Sequence, residues 1–287
     1  MGILLCGGMA GVCAKTAVSP FERVRILAQT RPAGGSLNPI HLGKEVIQAE
    51  GLVGFWRGNG ANILRVFPSR GILFWSNDRF KTLLGAERTE KRGRFQNSKS
   101  FAAGAMAGIT ACFSTYPLDL ARTRITSQVA NAGPDAAKYV TVRGTVLTVV
   151  RNEGLWALYR GMGPTLMGAL PYEGIKFGCY DMLRRNVPQS WFPNQIIWQL
   201  SCGAIAGTAA GMVMYPNDTV RRLMQVQSTR GSDRRYANTF VCYREILREY
   251  GLRRFYRGLS SYLVRMVPNA AIQFSAFEFF KSTLPRE

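Results

Sequence analysis

Acidic residues and histidine are scarce in this chain. Its 287 residues hold 17 Asp and Glu against 37 Lys and Arg, for a net charge of +20, and there is one histidine, His41. Six cysteines (Cys6, Cys13, Cys112, Cys179, Cys202 and Cys242) are scattered without a C-x-x-C pair. A zinc centre or a secreted disulfide framework is therefore unsupported, and the thiols read as small buried groups. No calcium-loop pattern occurs. No nucleophile lies beside a base and no acids are paired at catalytic spacing, so neither a metal, a cofactor nor an enzyme is expected. Cleavable signal features are missing too, and the chain starts almost directly in an apolar, glycine-rich stretch. Long unbroken apolar runs are also lacking: mean hydropathy is −0.04, although 47% of residues are hydrophobic. Such a balance suits helices that line a wet cavity rather than facing lipid all round. The excess of positive charge implies an anionic partner, whether nucleic acid, membrane phosphate or a charged solute.

What is present is a threefold repeat. Align the chain on Pro20, Pro117 and Pro216, which lie 97 and 99 residues apart. Thirteen residues before each proline a G-x-x-x-G opens: Gly7 and Gly11, Gly104 and Gly108, Gly203 and Gly207. Two residues after it stands an acid (Glu22, Asp119, Asp218), and five after it an arginine (Arg25, Arg122, Arg221). Further on, Glu50-Gly51, Glu153-Gly154 and Glu249-Tyr250-Gly251 each lead to an Arg-Gly pair at 57–58, 160–161 and 257–258. Eleven residues beyond those arginines come Pro68, Pro171 and Pro268. Ten beyond each of these is an acid (Asp78, Asp181, Glu278), and three further a base (Lys81, Arg184, Lys281).

Each copy reads as two long helices joined by a basic, amphipathic segment. The copies are assigned to 1–85, 99–186 and 196–284. First helices are expected over 1–29, 99–128 and 196–227, second helices over 59–84, 162–186 and 259–283, and short surface helices over 40–52, 139–153 and 236–250. About 20 residues of helix cross a hydrocarbon core, so the fold class is all-α membrane protein with six transmembrane helices. The paired glycines permit close backbone approach between neighbouring helices. Turn-rich joints, and polar links at 86–98 and 187–194, separate the elements.

Unpaired charges inside membrane helices cost about 2.5–3.5 kcal/mol each at mid-span. Threefold geometry therefore predicts a ring in which Glu22 meets Arg122, Asp119 meets Arg221, and Asp218 meets Arg25. At the other end, Asp78, Asp181 and Glu278 with Lys81, Arg184 and Lys281 can form a second ring. Two charged rings capping one cavity are the parts of an alternating gate. A static lock at both ends would gain little from ion pairs in lipid.

Pro-x-[Asp/Glu]-x-x-[Lys/Arg] at 20–25, 117–122 and 216–221 resembles the signature of the mitochondrial carrier family, and Tyr180-Asp181 with Arg184 and Phe277-Glu278 with Lys281 resemble its second motif. Copy one has Asn77 where the aromatic would stand. Gln29 and Gln225 resemble glutamine braces beneath the first ring, a place taken by Thr126 in copy two. The resemblance implies six helices in threefold pseudosymmetry, one central site, and alternating access across the mitochondrial inner membrane with the linking segments facing the matrix. It also implies that cardiolipin binds near the Arg-Gly corners. The protein is expected to work as a monomer and antiport is the expected mode, with exchange and one-way transport both left open by the sequence.

The same resemblance places solute contacts just before the second-helix prolines: Arg65, the pair Gly168-Ala169, and Arg265 with Met266. Lys15 resembles a phosphate-binding lysine of nucleotide carriers. Two arginines facing a small apolar step suit a phosphate clamp with room for a flat base. The branch resembled most is that of coenzyme A and ATP-Mg/phosphate carriers, so the expected solute is coenzyme A or a related adenine nucleotide. Thiamine diphosphate is the nearest rival. Arg70, Glu173 and Lys176 either line the cavity, pair with one another or face headgroups. Trp56, Tyr159 and Tyr256 read as interfacial anchors, and His41 as a surface residue. A soluble helical repeat that binds nucleic acid would need its bases along one continuous face. Here acids and bases recur as matched pairs at two levels, so nucleic acid is not the expected partner. A carrier fold that has ceased to transport is the remaining alternative.

Overall fold

The computed structural model describes residues 2–31, 38–85, 94–128, 141–192, 195–227 and 236–283. These residues are helical throughout, with short 3-10 turns and no strand among them. Copy one comprises α1 (Gly2–Ala17), α2 (Ser19–Thr30), α3 (Pro39–Glu50) and α4 (Asn59–Leu83). Copy two comprises α5 (Arg94–Ser127), α6 (Val142–Glu153) and α7 (Met162–Asn186). Copy three comprises α8 (Gln195–Val213), α9 (Tyr215–Val226), α10 (Thr239–Tyr250) and α11 (Leu259–Thr283). The copies close into a ring, with α4 on α5, α7 on α8, and α11 on α1.

The prolines explain the breaks. Proline has no N–H, so the carbonyl four residues earlier loses its helical donor. In copy one that carbonyl is Thr16, and the Trp56 indole N–H takes it at 2.8 Å. Helix α1 ends there, and α2 restarts with Pro20 in its first turn. Copy three breaks likewise at Met214, and the flanking segments 197–213 and 215–226 lie at 61°. In copy two, α5 runs through Pro117 as one helix.

Short helices α3, α6 and α10 lie across one end of the bundle. Asn38 and Thr141 cap α3 and α6, accepting from the N–H groups of Ile40 and Gly144. Their apolar stripes are buried, with Leu42 and Val46 in α3, Val149 in α6, and Cys242 and Ile246 in α10. Cys242 packs among Val220, Leu223 and Phe255. Burial there pushes its thiol up to about 12, which leaves it unreactive at neutral pH.

No single helix among the described residues is both long and apolar enough to cross a membrane, although the bent pair 197–213 and 215–226 meets both conditions together. The distribution of polarity is inverted relative to an ordinary bundle. Arg23, Arg124, Asp119 and Gln225 are buried, while Trp75 and Phe177 are 62% and 60% exposed, and Phe101, Ile109, Met182 and Ile205 are exposed as well. Soluble monomers rarely expose apolar side chains on this scale.

Candidate solute site and gate

The acids and arginines after Pro20, Pro117 and Pro216 converge on the bundle axis. Arg122 Nη2 lies 2.7 Å from Glu22 Oε2, and Arg25 Nη2 lies 2.7 Å from Asp218 Oδ2. Arg221 pairs with Asp119. Each pair joins neighbouring copies in the cyclic order that the repeat implies. Gln29 donates to Asp218 Oδ2 at 3.2 Å, and Gln225 donates to Asp119 Oδ2 at 2.9 Å. The Thr126 hydroxyl instead donates to the carbonyl of Arg122. The Arg25 guanidinium sits over the rings of Tyr215 and Tyr262, 5.0 and 4.5 Å from their centroids, which adds a cation–π attraction.

Every ring acid has a second arginine. Arg65 reaches Asp119 Oδ1 at 3.0 Å, Arg265 approaches Glu22 Oε2 at 4.0 Å, and Arg222 meets Asp218 Oδ2 at 3.2 Å. The positions expected to clamp phosphate thus rest on the ring itself. Six guanidiniums against three carboxylates leave this floor strongly positive. Lys15 is within electrostatic reach of Arg65, Arg122 and Glu22. Ala169 is exposed and Met266 half-buried. Gly168 is buried, and a Cβ there would collide with the Asn217 amide. Asn217 in turn donates to the carbonyl of Pro164 and accepts from the Tyr243 hydroxyl. In this conformation, therefore, the small residue at 168 serves helix contact between copies two and three.

Beneath the ring lies a tier that the repeat alignment did not reveal. Arg23 binds Glu50 and donates to the carbonyl of Gln128 at 2.8 Å, at the end of α5. Arg124 binds Glu153 and donates to the carbonyl of Gln225 at 3.0 Å, near the end of α9. Arg254 donates to the carbonyl of Arg31 at 2.5 Å, just beyond α2. Each copy thereby caps the C-terminal carbonyls of the next copy's first helix, where cations are favoured. The Arg-Gly corners interlock in the same cyclic sense. Gly161 and Gly258 have φ of +86° and +80°, and a Cβ on them would lie 3.0 Å from the Arg221 carbonyl and 3.1 Å from that of Arg25. Only glycine satisfies both demands. Replacing Glu153 with alanine strands the buried Arg124 guanidinium. It is expected to cost about 3–5 kcal/mol, read as a lowered unfolding midpoint in detergent.

The opposite end differs. Asp78, Lys81, Asp181 and Arg184 form no ion pair among the described residues, and both acids are exposed. Arg184 lies over Trp198, 5.9 Å from the ring centroid, and Tyr180 is half-buried. Glu278 and Lys281 belong to α11, but their side chains lie outside the described residues. The glycine pairs also stand apart: a Cβ on Gly7, Gly11, Gly104, Gly108 or Gly203 would meet nothing within 4 Å, and one on Gly207 would meet only Met266 Cε, at 3.9 Å. The close backbone approach expected of them is not made in this conformation.

Helix pairs closed in a ring, a charged lumen, an apolar exterior and one sealed end define a transporter built from three repeats. The chain matches the family described as Mitochondrial carrier protein over residues 1–88, 93–190 and 193–287, and it belongs to that family. It is 39% identical to "Mitochondrial carrier protein CoAc1" of Zea mays, over 99% of this chain and 88% of the relative. It is 33% identical to "Solute carrier family 25 member 16" of Homo sapiens, over 96% and 86%. It is also 33% identical to "ADP/ATP translocase 4" of Mus musculus, over 94% and 86%.

Proposed function

We propose that the protein carries a phosphorylated, base-containing solute, coenzyme A or a related adenine nucleotide, across the mitochondrial inner membrane by alternating access. The observation that carries this reading is the position of Arg65 and Arg265 on the ring acids. A phosphate entering the lumen competes with Asp119 and Glu22 for the same guanidiniums. Arg–phosphate pairing is bidentate and strong, so binding weakens the floor at the moment the site fills. Such differential contact is what couples a ligand to a conformational change. Lys15 adds a further positive charge, and Ala169 and Met266 border the site with small or apolar surface. The names of the CoAc1 and ADP/ATP relatives agree with a nucleotide-like anion.

The exposed aromatic and aliphatic exterior supports a bilayer around the ring of helices, with α3, α6 and α10 toward the matrix. As the second ring forms, Asp78, Lys81, Asp181, Arg184, Glu278 and Lys281 would seal the far mouth while the floor opens. The left-handed glycines at 58, 161 and 258 begin α4, α7 and α11. Those helix N-termini suit the phosphates of cardiolipin. The lumen lies within one chain, so one copy suffices for transport.

In reconstituted vesicles, Arg65→Ala and Arg265→Ala are each expected to reduce uptake of labelled coenzyme A or ADP to background. Both variants should remain folded by thermal melt. Uptake at the wild-type rate in both would contradict the phosphate clamp.

A further inference from the structure

Copy three departs from the repeat at two positions that meet in the structure. Five residues before the first-helix prolines stand Lys15, Cys112 and Gly211, and six before the second-helix prolines stand Asn62, Thr165 and Tyr262. A Cβ on Gly211 would collide with the Tyr262 hydroxyl. The glycine of α8 thus leaves a notch that the tyrosine of α11 fills. From there the hydroxyl donates to the carbonyl of Gly207 at 3.4 Å. Copies one and two carry no aromatic at the equivalent place.

Distances fix where the Tyr262 ring lies. Its centroid is 4.5 Å from the Arg25 guanidinium and 5.7 Å from that of Arg265. Those two arginines reach the ring acids Asp218 and Glu22, at 2.7 and 4.0 Å. Tyr262 and Arg265 are three residues apart on α11 and so share a face. The tyrosine is therefore part of the lumen floor, buried against two cations.

Arg265 is the looser of the two. Its contact with Glu22 is the longest among the described floor pairs. Its Nε is buried and has no hydrogen-bond partner among the described residues. A guanidinium is planar, so its edge can bind a phosphate while its face stacks on a ring. A flat base between two such planes needs about 3.5 Å on either side, about 7 Å in all. From 5.7 Å, Arg265 has to withdraw by only about 1–2 Å to admit one.

We propose that Tyr262 and the face of Arg265 form a slot for the base of the solute. The partnerless Nε edge of Arg265 takes the phosphate of the same molecule. This rests on the reading of the solute as a phosphorylated nucleoside, and it assigns the base to copy three. The same ring carries Arg25, so the base arrives beside the Arg25–Asp218 pair that must part when the floor opens.

The test compares adenosine 5′-monophosphate with ribose 5-phosphate, which keeps the sugar and the phosphate and lacks the base. Both are titrated into purified protein and followed by thermal shift, since a ligand that binds the folded state raises its melting point. Wild-type protein is expected to half-saturate with the nucleotide at about one tenth of the ribose 5-phosphate concentration, the scale of one base stacked on an aromatic ring. Tyr262→Phe should keep that preference, because the ring and not the hydroxyl provides it. Tyr262→Leu should bring the two probes to equal concentrations. Equal affinity of the wild type for both probes overturns the proposal, whether or not either variant folds. So does a Tyr262→Leu protein that still prefers the nucleotide, or one in which both probes weaken by the same factor, as a residue that only supports Arg265 would require. A wild type that responds to neither probe overturns the phosphorylated-nucleoside reading itself, and the slot with it.

Discussion

Replacing Asp119 with alanine is expected to abolish uptake and to lower the unfolding midpoint more than any other single change in the floor. Asp119 accepts from Arg221, Arg65 and Gln225 at once. Its removal leaves two guanidiniums and an amide facing one another in a buried site. Stranding the partner of a buried ion pair costs about 3–5 kcal/mol, and here two such partners share one acid. Asp119→Asn is the sharper companion variant, because it removes the charge and keeps a side-chain acceptor for Gln225. A ring that served only as a static lock would tolerate that change in transport once the protein had folded. A gate that must reseal each cycle would not. Parallel measurements of melting midpoint and vesicle uptake for the two variants separate these outcomes.

Gly108→Leu is expected to have the opposite signature. A Cβ at Gly108 meets nothing within 4 Å, so the folded state seen here has room for a larger side chain. Leucine is also the better helix former, by somewhat under 1 kcal/mol. Stability should therefore hold or rise slightly. Under the proposed alternating access the first helices would approach across these glycine faces as the open mouth closes, and a leucine would hold them apart, so uptake should nevertheless fall to background. The same reasoning applies to Gly11 and Gly207. Wild-type uptake by Gly108→Leu would show that the far mouth closes without these faces.

The repeat made much of this legible. Acids and bases recurring at fixed offsets from the prolines are tied to threefold geometry, and that geometry alone assigns Arg122 to Glu22, Arg221 to Asp119 and Arg25 to Asp218. Other features were hidden because they break the repeat. Arg23 follows its proline by three residues and Arg124 by seven, one helical turn apart, so no alignment column displays the capping tier they share. Arg222 was masked by standing beside the ring arginine Arg221. Gly168 reads as a ledge in sequence, since nothing there announces that Asn217, 49 residues on, occupies the adjoining space. The resting place of Arg65 and Arg265 on Asp119 and Glu22 likewise depends on side-chain reach across copies, which spacing within one copy does not encode.

Alternation of the two mouths is most directly tested by a distance between Thr82 and Arg185, near the far ends of α4 and α7. Both are exposed and neither belongs to a charged ring. Replace each by a spin-labelled cysteine in a background free of other cysteines. Then measure the pair by electron–electron double resonance, first with the floor intact and then with Glu22→Ala and Asp119→Ala added. If the rings oppose one another, releasing the floor shifts the population toward a shorter separation at the far mouth. An unchanged distance distribution after the floor pairs are removed would contradict the coupling of the two ends.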